Sequence, residues 1–186
     1  MCKLLAERVL RVRHSVSFTT RRPRPGEVDG RDYRFVDEKE FAKMSENGEF
    51  AEWALVHEKY YGTSKKSLDE MTGQGIDVIL DIDVQGAKKL KNAYSEGVYI
   101  FVLPPSMGVL KKRLLERMSN SDDEIRERLD TAMEEIKEYV LYDYVIINEV
   151  LEDAFRELEA IVVATRLRAR VIEPSWVERN FLKEGN

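Results

Sequence analysis

Asp81 and Asp83 stand where an apolar run ends, in Asp81-Ile82-Asp83-Val84-Gln85-Gly86. The run from Ile76 to Ile82, interrupted only by acids, has the pattern of a buried parallel strand, and open α/β sheets place their ligand crevice beyond such strand ends. Two carboxylates there are costly to leave unpaired, and Mg²⁺ or a cationic or hydrogen-bonding ligand would stabilise them. Asp83 has a plainer reading as the cap of the following helix, so Asp81 is the stronger candidate. A second group is Ser17 with Arg21 and Arg24. In Thr19-Thr20-Arg21-Arg22-Pro23-Arg24-Pro25-Gly26-Glu27 two prolines fix φ and remove N–H donors, so the arginines ride on a stiff loop. Forked guanidinium groups at the end of a strand suit a phosphate dianion, although such a loop could also merely solubilise.

A third group is Glu52-Trp53 with Tyr60-Tyr61-Gly62-Thr63. Phenol and hydroxyl donors suit a phosphate or a sugar, while a carboxylate suits a base offering two adjacent N–H donors. Guanine is such a base; adenine presents an acceptor at N1 and would be rejected by about 10⁴–10⁵ in a site built this way. Taken alone, Tyr60 and Tyr61 are more often core or rim aromatics. The fourth group is Arg113, Arg117, Arg126 and Arg128 around Met118-Ser119-Asn120-Ser121. Two helices flanking an arginine-bearing loop have the form of a lid over phosphates, although each arginine singly could be a surface residue.

These side chains must be carried by elements that periodicity outlines. Residues 2–10 predict a short helix, 14–18 and 33–36 two strands, and Asp37 caps a helix ending near Gly48. Residues 49–57 alternate as a strand, and Ser64 caps a helix that stops at Gly73 or Gly75. Residues 76–82 predict a strand, 84–93 a helix, and 98–103 a strand closed by Pro104-Pro105. Ser106 caps a helix through Arg117, and the capping box Ser121-x-x-Glu124 opens another to about Val140. A strand at 144–148 and a helix at about 151–170 complete the pattern. Strand and helix alternate in the second half, which predicts an α/β fold: a parallel sheet flanked by helices, with a small, mostly antiparallel insertion near 30–60.

At 186 residues and 21.7 kDa the chain fits one domain with a sizeable core. A net charge of −5 argues against bulk attraction to nucleic acid or anionic membrane. The charge is uneven: residues 1–34 hold nine Lys/Arg against four Asp/Glu, and residues 120–160 four against fourteen. One cysteine and two histidines exclude an internal disulfide and Cys/His zinc sites. The apolar runs are too short to span a membrane and the N-terminus lacks signal-peptide features, so a reducing cytoplasm is the expected location.

The order and spacing of these motifs resemble the guanylate kinases. Residues 15–36, Ser-Val-Ser-Phe-Thr-Thr-Arg-Arg-Pro-Arg-Pro-Gly-Glu-Val-Asp-Gly-Arg-Asp-Tyr-Arg-Phe-Val, look like that family's signature segment. Gly48-Glu49-Phe50-x-Glu52, Tyr60-Tyr61-Gly62-Thr63, Leu80-Asp81-Ile82-Asp83-Val84-Gln85-Gly86 and Phe101-Val102-Leu103-Pro104-Pro105 follow in the family's order. The resemblance implies one domain over 1–186 of the P-loop kinase type, with a GMP-binding part at about 30–64 and a helical lid at about 113–128. It implies phosphoryl transfer from ATP, with Mg²⁺, to GMP, giving ADP and GDP by positioning and charge neutralisation. By the same resemblance Ser17 and Glu52 read guanine with Asp83 nearby. Arg21, Arg24, Tyr33 and Tyr61 hold the GMP phosphate with Thr63 beside them. Asp81 sits near Mg²⁺ and the transferring group; Arg113, Arg117 and Arg128 neutralise ATP phosphates, and Asn148 lies near adenine.

The sequence departs from the family in one large respect. Met1-Cys2-Lys3-Leu4-Leu5 resembles the first helix just after the P-loop Gly-x-x-Gly-x-Gly-Lys-[ST], and the motif itself and the strand before it are not in the sequence. A start at an internal methionine is the favoured reading, since the GMP-side and lid residues are retained together; as written, the chain is expected to bind GMP weakly and transfer phosphate poorly. A smaller departure is Met118, where a glycine is common. The alternative function is a non-catalytic guanylate-kinase-like interaction domain. Another nucleoside monophosphate kinase is weakened by Ser17 and Glu52.

Overall fold

The computed structural model describes residues 1–117 and 122–182. Helices α1 (Cys2–Arg8), α2 (Glu38–Glu46), α3 (Lys65–Gly73), α4 (Val84–Ala93), α5 (Met107–Arg117), α6 (Asp122–Ile136), α7 (Leu151–Arg166) and α8 (Pro174–Val177) alternate with eight strands. The strands are β1 (Val12–His14), β2 (Phe18–Thr19), β3 (Arg34–Phe35), β4 (Phe50–Val56), β5 (Lys59–Ser64), β6 (Asp77–Ile79), β7 (Ile100–Leu103) and β8 (Tyr144–Ile147). The α/β expectation holds. The expected parallel sheet consists, among the described residues, of two parallel pairs, β1 with β6 and β7 with β8.

The predicted strand at 14–18 is displaced and divided. Val12 is fully buried in the core, so the first ladder begins there and ends at His14, and Ser15 N–H closes on the Ile79 carbonyl at 2.9 Å. The chain then leaves for a second sheet, which it joins at Phe18. The run 76–82 forms ladder only over Asp77–Ile79, because its partner β1 is three residues long. That frees Leu80 to Asp83 as the loop beyond the strand end. The predicted helices at 2–10 and 151–170 stop at Arg8 and Arg166. The helix expected to reach Val140 ends at Ile136 and passes into a 3₁₀ turn, Lys137–Leu141. Residues 118–121, and with them Met118 and the predicted Ser121 cap, lie outside the described residues.

The second sheet runs β3-β2-β5-β4, antiparallel except for β2 beside β3. It is the predicted insertion, and it reaches back to Phe18, upstream of the expected boundary near 30. Two of its caps form as the sequence indicates: Asp37 accepts from Glu40 N–H at 2.7 Å, and Ser64 from Ser67 N–H at 3.3 Å. Its outer face packs on α2 through rings: Phe41 stacks on Phe50 at 4.5 Å and on Tyr60 at 5.3 Å, with Phe18 edge-on to Phe50. Two further cores lie under the parallel pairs. Leu5, Val12, Ile146, Ala154, Phe155 and Leu158 join α1 and α7 to β1 and β8. Leu68, Ala87, Leu90 and Tyr99 join α3 and α4 to the strand ends.

Candidate active site

Alternation along β5 divides its tyrosines. Tyr60 points into the ring cluster on α2, whereas Tyr61, one residue on, faces the opposite side and meets Tyr33 edge-on at 6.1 Å. Tyr60 therefore packs as the plainer reading has it, while Tyr61 lies on the other face with Tyr33. The Arg21 guanidinium lies 5.2 Å from the Tyr33 ring centroid and 5.8 Å from that of Phe35. It donates to both carboxylate oxygens of Glu27, at 2.9 and 2.8 Å, and to the Arg22 carbonyl at 2.8 Å. Glu27 also accepts from the backbone N–H of Arg24 at 2.7 Å, so one carboxylate ties the two ends of the arginine loop. Its hydrogen bond to Arg21 holds its pKa below the usual glutamate value; Arg21 is raised in return, first by Glu27 and then by Tyr61. Burial, and next the charge that Tyr61 would carry, push the Tyr33 phenol up.

Glu52 and Thr63 face each other across β4 and β5, and both are buried. Thr63 donates its hydroxyl to Glu52 Oε1 at 2.6 Å. The resemblance sets Thr63 beside the phosphate group; here its hydroxyl is committed to the carboxylate. Glu52 Oε2 lies against the backbone of Gly86, where a methyl group would stand 2.6 Å from it and 3.0 Å from Asp83 Oδ1. Only glycine allows that approach of α4 to β4. Burial raises the pKa of Glu52; the Thr63 bond opposes this, nearby Asp83 adds to it, and Lys89 lowers it. Asp83 Oδ1 accepts from Gly86 N–H at 2.8 Å. The capping reading of Asp83 holds, and its charge is also felt at Glu52.

Asp81 is exposed in the loop beyond β6. Its charge reaches three groups: it raises the Cys2 pKa after the larger effect of burial, opposes the burial that lowers His14, and adds to the shift of Tyr33. Asp81 is thus close enough to act on α1, on β1 and on the phenol that flanks Arg21. Ser17 is half-buried just before β2 and accepts from Arg34 N–H through its carbonyl at 2.9 Å. Arg24 is exposed.

Across the molecule Arg113 of α5 donates to the Asn148 carbonyl at 2.8 Å. With Val102, Leu103, Pro104, Leu110 and Leu114 the two residues line a cleft of about 190 Å³ at the ends of β7 and β8. Arg113 and Asn148 are therefore brought together, with the guanidinium engaged on backbone oxygen. Arg126 and half-buried Arg128 lie on α6. The Arg117 side chain lies outside the described residues. Among the described residues, no three Asp, Glu, His or Cys side chains group so as to cage a metal ion.

Sequence reasoning passed over Glu27. Its signal was available: an acid three residues after Arg24, at the end of a Pro-Gly turn, can reach back to the arginines.

The guanylate kinase family profile matches residues 1–165. A guanylate kinase of Geobacter metallireducens is 52% identical over 174 residues, 93% of this chain and 86% of that protein. One of Syntrophus aciditrophicus is 51% identical over 167 residues, 90% of this chain and 80% of that protein. The crystal structure of guanylate kinase from Anaplasma phagocytophilum superimposes with a TM-score of 0.82 at 36% identity, covering 98% of this chain and 89% of that one. Motif order, fold and overall similarity agree: this chain belongs to the guanylate kinase family.

Proposed function

We propose that this chain binds GMP on the inner face of the β2–β5 sheet and ATP at the ends of β7 and β8, and transfers the terminal phosphoryl group of ATP to GMP. The observation that carries the reading is Glu52, a buried carboxylate held by Thr63 and backed by Gly86. Such a carboxylate accepts the N1–H and 2-amino N–H of guanine and repels the N1 lone pair of adenine. In this reading Ser17 and Asp83 complete the guanine contacts, Asp83 from its place beside Glu52 at Gly86. Arg21, oriented by Glu27, takes the GMP phosphate with Tyr33, Tyr61 and Arg24. Asp81 stands toward the phosphoryl acceptor. Arg113 and Asn148 support the ATP end, and Arg117 and Arg128, on the two lid helices, neutralise its phosphates.

Mg²⁺ enters this reading with ATP, where it neutralises phosphate charge. A lone exposed carboxylate such as Asp81 fits an ion that keeps most of its ligands as phosphate oxygens and water, the preference of Mg²⁺. The reaction needs no covalent intermediate: the chain's residues orient the acceptor phosphate and offset charge as it develops. A cytoplasmic location, where both nucleotides are at hand, belongs to the same proposal.

The test is calorimetry with GMP, together with a coupled assay of GMP-dependent ADP formation. The assay is run on this chain and on one lengthened at its N-terminus by a strand and a Gly-x-x-Gly-x-Gly-Lys-[ST] loop. GMP binding and ADP release from the lengthened chain are expected. Absence of GMP-dependent ADP from it overturns the reading, and peptide binding without GMP binding would favour the interaction domain.

A further inference from the structure

We propose that Lys89 is a positioning residue for the guanine-reading carboxylate, fixing the edge strand β4 at Trp53 so that Glu52 is presented in one orientation. The inference rests on the guanine reading of Glu52 given above. In the β3-β2-β5-β4 order β4 lies at the end of the sheet, bonded along one side to β5. Backbone groups on the other side of an edge strand have no ladder partner. Lys89 supplies one: its ammonium donates to the Trp53 carbonyl at 2.6 Å and lies 4.5 Å from the Trp53 ring centroid.

Helix geometry explains why this contact bears on Glu52. Gly86 and Lys89 are three residues apart and share one face of α4. At the first position Glu52 Oε2 fills the space that a side chain on the helix would need, and at the second the side chain grips the next residue of the strand. Asp83 caps the same helix. The strand is therefore held at two successive residues by two successive points of one helix. The register of β4 against β5 slips between Phe50 and Glu52, so the ladder alone guides Glu52 less firmly than an unbroken one would. Around the carboxylate, Thr63 supplies a hydroxyl, Asp83 a like charge and Lys89 the opposing one, and Lys89 favours the ionised form. Lys89 is exposed, so its removal opens no cavity in the core.

The test uses the ratio of GMP to IMP affinity, measured by calorimetry on the full chain. IMP lacks the 2-amino group, so the ratio reads the second hydrogen bond to Glu52 and needs no turnover. Lys89→Met keeps the stem over Trp53 and removes the charge. It should lower the ratio by about tenfold, the scale of a charged hydrogen bond, while Lys89→Arg restores most of it. A strut that served stability alone would lower the unfolding temperature and leave the ratio intact. An unchanged ratio in Lys89→Met, or an equal loss in Lys89→Met and Lys89→Arg, overturns the assignment. Glu52→Gln is measured beside them. If it collapses the ratio while Lys89→Met does not, only the Lys89 assignment fails. If both leave the ratio unchanged, the guanine reading itself fails.

Discussion

Glu52 is a buried acid whose ordinary value of 4.5 is raised chiefly by burial. Its ionised form accepts guanine's N–H groups, so GMP affinity should fall on acidification at a pH above the ordinary glutamate range. Glu52→Gln should remove that limb from a calorimetric pH series. The stability sign is opposite. A raised native pKa means the folded state binds the proton more tightly, so this residue's contribution falls as pH rises from the unfolded value through the folded one. Glu27 behaves the other way, since Arg21 lowers its pKa and its contribution is lost on acidification. Glu27→Ala should weaken GMP by about 1 kcal/mol, the scale of one intramolecular hydrogen bond, because Arg21 and the Arg24 backbone lose their common anchor. Guanosine, which has no phosphate, should bind that variant and the parent alike. Tyr61 and Glu52 were legible in the sequence from residue type and spacing. The division between Tyr60 and Tyr61 needed the strand's phase, and Glu27 needed the turn that folds it back.

The β4–β5 hairpin shows why element boundaries escaped the sequence. Its turn is His57-Glu58, and both residues have positive φ, 46° and 59°. A two-residue turn of that kind favours Asn-Gly; with His-Glu in its place the usual signal is missing. Left-handed backbone costs a side-chain-bearing residue about 1–2 kcal/mol. Glu58→Gly, alone or with His57→Asn, should therefore raise the unfolding temperature, with about 1 kcal/mol of added stability in chemical denaturation. An unchanged midpoint would show that the turn relaxes in solution. The division of residues 12–19 between two sheets is equally tertiary. One alternating run serves as a parallel partner to β6 and an antiparallel partner to β5, and only the distant strands decide where it changes hands. The caps at Asp37 and Ser64 depend on three-residue contacts, and they were readable.

At the scale of the whole molecule, the described residues form three small sheets; the rings on α2 pack on one, and a second core bridges the two parallel pairs through β1 and β8. The ring cluster on α2 supports the sheet that carries Glu52, Thr63 and Tyr61, whereas Phe155 supports the region of β1 and β8. Phe41→Ala should cost about 3–5 kcal/mol, and native-state hydrogen exchange should show the loss first at the β5 amides. Phe155→Ala should instead expose the β8 amides. Coincident loss across both regions in each variant would show that the sheets open as one unit. The charge is uneven along the chain as well, with bases in excess over 1–34, the segment that carries the proposed phosphate clamp, and acids in excess over 120–160.

Trp53 follows Glu52 in the chain, with Lys89 above its ring and Tyr60 at 5.9 Å. The other tryptophan, Trp176, pairs with Phe181 near the C-terminus. The molecule thus carries its own optical reporter on the edge strand that bears Glu52. With Trp176 replaced by phenylalanine, intrinsic emission would come from one indole, seated on the α2 side of the sheet beside Phe41, Tyr60 and Lys89. The packing of that edge strand against α2 and Lys89 could then be followed in real time without a label.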